Sequence, residues 1–218
     1  MNPIARRVLT ALTTAALVVL AIIYAPTGWI RPAVIALIAL AGVELALLLR
    51  RRLAWFSWGM LIALPLGLAV LCGLLALPLT AERHGNLMML YLIAIVKFSD
   101  MGGFAIGVST ARLMRGGNHK LCRTISPNKS WEGLAGSVLA SVLMSLAFLP
   151  VTHFTVVKAL VFGVVAALVG TAGDLVESKL KRWVGAKDSA AFMPAGLGGF
   201  LDMFDSLLIA PAVLLPFI

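Results

Sequence analysis

Long apolar stretches separated by short polar clusters run the length of the chain, at residues 8–25, 32–49, 54–79, 87–107, 133–151, 155–173 and 200–217. A helix that crosses a bilayer needs about 20 mostly apolar residues. The pattern therefore predicts an all-α, polytopic transmembrane helical bundle of about seven spans, forming a single integral membrane domain over residues 1–218. The third stretch is long enough to tilt or to hide a break near Pro65, which would make the count eight. The first follows Arg6 and Arg7 as a signal peptide would. Its length, with further spans behind it, favours a helix that stays in the protein.

Composition excludes a water-soluble fold. The chain is 61% hydrophobic and 12% charged, against about 25% charged in soluble domains. Its net charge of +9 would point to nucleic acid on a soluble protein, but here the placement of the charges accounts for it. With the N-terminus in the cytosol, the inner segments hold Arg6, Arg7, Arg50 to Arg52, Arg112, Arg115, Lys120, Arg123, Lys129, Lys179, Lys181, Arg182 and Lys187. Only Arg31 and Arg83 fall in outer loops, while Lys97 and Lys158 lie within or beside spans. This is the asymmetry of the positive-inside rule, and it needs no nucleic-acid partner. The expected location is a bacterial inner membrane, with the polar chemistry facing the cytosol. Cys72 and Cys122 are far apart and the three histidines are scattered singly, so neither a disulfide framework nor a zinc site is expected.

The acidic residues carry more information. Of the nine, only Glu82 lies in an outer loop. Glu44 and Asp100 fall in the inner halves of spans, Asp174 is expected to end the sixth helix, and Asp202 and Asp205 to begin the seventh. Carboxylates at membrane depth cost a few kcal/mol each unless paired, hydrated or bound to a cation. Asp202 and Asp205, three apart, share a helical face. With Asp174 from a neighbouring helix they would form an oxygen cage suited to Mg²⁺. The plainer alternative is that these acids neutralise Lys179, Lys181, Arg182 and Lys187.

Two inner loops, about 108–132 and 174–199, are the longest, and they mix lysines, hydroxyls, glycines and acids. One ends Ser126-Pro127-Asn128-Lys129-Ser130-Trp131-Glu132-Gly133; the other carries Gly173-Asp174-Leu175-Val176-Glu177-Ser178 and ends Gly196-Leu197-Gly198-Gly199. Lysines with exposed backbone N–H groups are the usual grip on phosphate, so a metal–polyphosphate site facing lipid is expected. The alternative for the lysines is an anchor on anionic lipid.

These loops resemble the phosphatidate cytidylyltransferase (CDP-diacylglycerol synthase) family. Ser178, Lys181, Arg182, Lys187 and Asp188 match its S-x-x-K-R-x(4)-K-D segment, and Asp202, Asp205 and Ser206 match the end of its last motif. The Ser-Pro-x-Lys-Ser-x-Glu-Gly loop at 126–133, Asp174 with Glu177, Asp100 and Glu44 also correspond. The chain diverges where the family has Pro-Gly-His-Gly-Gly, reading Pro194-Ala195-Gly196-Leu197-Gly198-Gly199, and where the family's Arg is Met203.

The resemblance implies transfer of CMP from CTP to phosphatidate or a related lipid phosphate, in the catalytic-type segments 97–133 and 173–206. Asp174, Asp202 and Asp205 would hold Mg²⁺, and a monovalent cation beside it is left open, as is a homodimer. Lys181 and Asp100 join these acids as candidate catalytic groups. Lys129, Arg182 and Lys187 would grip phosphates, and Ser126, Asn128, Ser130, Glu132, Ser178, Asp188 and Glu44 would complete the substrate site. Two rivals stand beside this expectation. One is a cation pathway lined by Glu44, Asp100 and Asp174; the other is a catalytically weakened relative that only binds nucleotide or lipid.

Overall fold

The computed structural model describes residues 20, 24, 27–50, 83–114, 117–185 and 214. Its elements are helix α1 (Thr27–Arg50), helix α2 (Arg83–Leu113), strands β1 (Lys120–Cys122) and β2 (Ser126–Ser130), helix α3 (Trp131–Ala147), a single turn α4 (Leu149–Thr152) and helix α5 (Val156–Trp183). The described residues are thus mostly helical. Two of the helices, over Leu87–Leu113 and Val156–Trp183, are long and apolar enough to cross a bilayer. The expected spans at 8–25, 54–79 and 200–217 fall outside the described residues apart from Leu20, Tyr24 and Leu214.

Three details differ from the sequence expectation, each for a physical reason. The helices outrun the apolar stretches, because an apolar run measures the hydrocarbon layer and not the helix. The 28 residues of α5 rise about 42 Å at about 1.5 Å each, and the hydrocarbon core takes only about 30 Å. The remainder is the polar turns from Asp174 to Trp183, which stay helical where a loop was expected to begin. Lys181 and Arg182 in the last turn oppose the negative end of the helix dipole. Second, the fold is not purely α. β1 and β2 form an antiparallel hairpin pairing Lys120 with Ser130 and Cys122 with Ser126, with an irregularity between the two pairs. Third, the expected helix 133–151 begins at Trp131 and stops at Ala147. Pro150, in the first turn of α4, has no N–H with which to continue an α-helical ladder.

Among the described elements, α2 and α3 share the most extensive interface, and α5 packs against α3 and, less extensively, against α2. Small residues allow the close approach. A Cβ at Gly136 would lie 2.6 Å from Ile106 Cβ and 2.7 Å from the Gly102 carbonyl, and one at Gly163 would lie 2.7 Å from Val142 Cα. Helices in lipid gain little from apolar burial alone, so backbone proximity and interhelical hydrogen bonds hold them. Gly136→Leu is therefore expected to separate α2 from α3, seen as loss of monodisperse protein on size exclusion, whereas Leu139→Ala on the exposed face leaves the profile unchanged.

The core gathers Met88, Tyr91, Leu92, Ile95 and Val96 of α2 around Phe162 and Ala166 of α5, with Leu214. Inside it, the Ser145 hydroxyl donates to the Ala159 carbonyl at 2.7 Å. Ser145 has one proton to give, so the Tyr91 hydroxyl, 2.8 Å away, donates to it. This relay ties α2, α3 and α5 together. Tyr91→Phe is expected to destabilise the bundle by about 0.6 kcal/mol, the average for interhelical hydrogen bonds in membranes, and by no more than the measured maximum of about 1.7 kcal/mol, measurable as a lowered unfolding midpoint.

At the other end of α5, Leu45 and Leu48 of α1 pack against Leu180 and Val184. That contact sets the fully buried Glu44 at the level of α5's last turns.

Candidate functional site

The site is built on the hairpin that precedes α3. Ser130 caps α3 with extended backbone, its hydroxyl accepting the Gly133 N–H at 3.0 Å, a role in which Ser is strongly preferred. Asn118 clamps this corner by donating from Nδ2 to the Gly107 carbonyl at 2.6 Å and to Ser130 Oγ at 3.2 Å. Next to it, Glu132 Oε1 accepts from the His119 backbone N–H at 3.2 Å and from His119 Nδ1 at 2.7 Å. The Trp131 N–H returns to the His119 carbonyl at 3.0 Å. Asn118 and His119 are thereby stitched to the start of α3.

The His119 side chain, followed by Glu132's own backbone N–H, lowers the Glu132 carboxyl to about 2, burial acting in the opposite sense. A depressed carboxylate contributes stability above its ordinary value near 4.5, lost as pH falls through the folded value. The hairpin attachment is therefore fully formed at neutral pH and weakens only in acid.

With the hairpin fixed, Lys129 reaches across to α5. Its ammonium lies 2.7 Å from Asp174 Oδ2 and donates to the Thr171 carbonyl at 3.2 Å. Both side chains are about one quarter exposed (24% and 25%), so the pair opens to the surface. A cation from the first motif segment and a carboxylate from the second, 45 positions apart, thus meet directly.

The other expected site residues distribute as follows. Asp174, Glu177, Ser178 and Lys181 follow helical spacing on α5 and share one face; Lys181 Nζ lies 3.1 Å from Glu177 Oε2, with both side chains largely buried. Arg182 is exposed on the adjoining face and Ser178 half-buried. Asp100 forms an ion pair with its own-helix neighbour Lys97 at 3.6 Å. Ser126 is half-buried and Asn128 exposed on β2. Lys187, Asp188, Asp202 and Asp205 lie outside the described residues. Asn118 and His119 are additions that sequence reasoning missed; their partners lie 12 and 13 positions away, a pairing set by the hairpin.

For a divalent ion, the described residues offer no group of three His, Cys, Asp or Glu ligands. Asp174 nonetheless fits as one hard oxygen donor, since Mg²⁺ is typically held by one or two carboxylates plus substrate phosphates and water.

Membrane-length helices that end in polar turns, with a lysine and an aspartate brought together at one end, define a class of helical protein with a charged site at the edge of an apolar bundle. The chain matches the cytidylyltransferase family model over residues 2–218, and it belongs to that family. It is 36% identical over 146 residues to the uncharacterized protein YnbB of Escherichia coli (strain K12), an overlap of 66% of this chain and 47% of that protein. It is 41% identical over 122 residues to the phosphatidate cytidylyltransferase of Staphylococcus aureus (strain COL), covering 55% and 44% of the two chains. With the enzyme of the same name from Staphylococcus epidermidis the identity is 40% over 129 residues, 58% and 47% of the two chains. The matched region is a little under half the length of each of these relatives.

Proposed function

We propose that this protein transfers the cytidylyl group of CTP to a lipid phosphate at the cytosolic face of a membrane, releasing pyrophosphate. The observation that carries the proposal is the Lys129–Asp174 pair, which joins the two polar segments at the polar end of a membrane-length helix. Family membership and the two relatives named phosphatidate cytidylyltransferase support it.

In the reaction, a phosphate oxygen of the lipid attacks the α-phosphorus of CTP, a P–O bond forms there, and the bond to the departing pyrophosphate breaks. Such transfers need positioning and charge neutralisation more than covalent help from the protein. Lys129 would hold a phosphate once its bond to Asp174 is exchanged. Arg182 and Lys187 would add positive charge, and Ser126, Asn128 and Ser178 would supply hydrogen bonds. Lys181, held by Glu177, would stand at the phosphate end, and Asp100 and Glu44 would border the cavity. Ser130 and Glu132 fix the loop that carries Lys129. Asp174, with Asp202 and Asp205, would hold Mg²⁺, which when bound offsets the charge of the triphosphate.

Single-domain organisation and an N-terminus in the cytosol complete the proposal, because CTP is a cytosolic substrate and the acyl chains must remain in the bilayer. The test is turnover by purified protein with CTP, Mg²⁺ and a panel of lipid phosphates. A liponucleotide product from at least one of them is expected. Binding of CTP without product from any would leave a nucleotide-binding relative instead.

A further inference from the structure

Two open grooves meet at Trp131. One, of about 580 Å³, is lined by His119, Lys120, Arg123, Trp131 and Glu132. The other, of about 460 Å³, is apolar and runs past Trp131 along Leu134, Val138, Leu139 and Val142 of α3 to Leu168 of α5. The first presents two fixed cations, Lys120 and Arg123, both exposed. Its one carboxylate, Glu132, is already bonded to His119 at 2.7 Å. Trp131 stands 59% exposed at the junction, where an indole suits the boundary between headgroups and hydrocarbon.

We propose that the joined grooves dock one anionic glycerophospholipid of the bilayer, with its phosphate between Lys120 and Arg123 and one acyl chain along the α3–α5 groove. Charge complementarity selects this occupant: an apolar peptide or helix would fill the lower groove and leave the cations unmatched, and a soluble phosphate would leave the apolar groove uncovered. The dimensions agree. From Trp131 to Val142 the helix rises about 16 Å at about 1.5 Å per residue, close to half of a hydrocarbon core about 30 Å thick, which is the reach of one chain in one leaflet. Two basic residues near an anionic leaflet bias docking toward anionic lipid by roughly tenfold or more. The groove meets α5 at Leu168, one turn before Thr171, whose carbonyl holds Lys129. A lipid docked there lies beside the charged site.

The proposal rests on the bilayer setting of the proposed function but not on cytidylyl transfer, and the experiment separates the two. The full-length protein in nanodiscs is irradiated with phosphatidylglycerol or phosphatidylcholine carrying a photoactivatable acyl chain, and the adducts are mapped by mass spectrometry. Phosphatidylglycerol should label the peptides holding Leu139, Val142 and Leu168. Lys120→Glu with Arg123→Glu should cut that labelling about tenfold while phosphatidylcholine labelling elsewhere stays constant, which verifies folding. Leu139→Trp, which fills the groove, should cut it too. Labelling indifferent to headgroup and to charge reversal would overturn the proposal. So would cross-linking that finds a second copy, or another segment of this chain, seated in the groove. Charge-dependent labelling in a protein that makes no liponucleotide would leave the docking site standing and remove only the transfer reaction.

Discussion

Asp174→Asn is expected to yield a folded, membrane-inserted protein whose liponucleotide synthesis has fallen by about 10²–10³-fold, the usual cost of removing one electrostatic stabiliser from a reaction centre. The substitution keeps the shape of the side chain and an oxygen that can still accept from Lys129, so α5 and the hairpin retain their contact. It removes the negative charge, which the proposed role requires for holding a cation against the triphosphate. Stability should hardly change. The pair is about one quarter exposed on each side, and salt bridges open to solvent contribute only about 0–1 kcal/mol. Initial rates under saturating CTP, with an unfolding midpoint measured on the same preparation, check both halves. An Asn variant within threefold of wild-type turnover would remove Asp174 from the chemistry.

Lys129→Met is expected to lower kcat/KM for CTP by about 10²-fold, again within the range for lost electrostatic stabilisation. Met retains an unbranched apolar stem and removes the ammonium that now bonds Asp174 Oδ2 and the Thr171 carbonyl. Lys129→Arg should recover only part of the loss, because the guanidinium is a planar fork where the site holds a compact charge between two oxygens. The double variant Lys129→Met with Asp174→Asn tests whether the two act as one unit. Groups in direct contact couple by about 0.5–3 kcal/mol, so the combined loss should fall well short of the product of the single losses. Losses that multiply would show that the contact has no part in the reaction.

The helical bundle was legible in the sequence because apolar run length reports what must be hidden from water or given to lipid. Helix ends were not, since the last turns of α5 satisfy their backbone whether or not the side chains are apolar. Glu177 and Lys181, four apart on those turns and bonded at 3.1 Å, reinforce the helix beyond the apolar run. The hairpin was hidden for another reason: Ser126-Pro127-Asn128-Lys129-Ser130 has no alternating apolar face, and its register is pinned by Asn118, His119 and the α3 cap rather than by strand propensity.

The types of residue at the site could be read directly, but not their partners. Of the three acids expected around a cation, Asp174 is the one among the described residues, and it meets Lys129. Glu177 meets Lys181, Asp100 meets Lys97 and Glu132 meets His119. The plainer alternative, neutralisation by the nearby lysines of α5, therefore describes Glu177. Asp174 instead draws its partner from the hairpin. Asp202 and Asp205 lie beyond the described residues, so their part in the proposed cage rests on motif correspondence.

The most direct measurement follows the two ends of CTP separately in one reaction with a lipid phosphate. Label placed on the α-phosphorus should pass into the organic phase with the lipid, while label on the γ-phosphorus should remain in water as pyrophosphate. Label from the γ position entering the lipid, or no transfer from either position to any lipid phosphate, would contradict cytidylyl transfer by this protein.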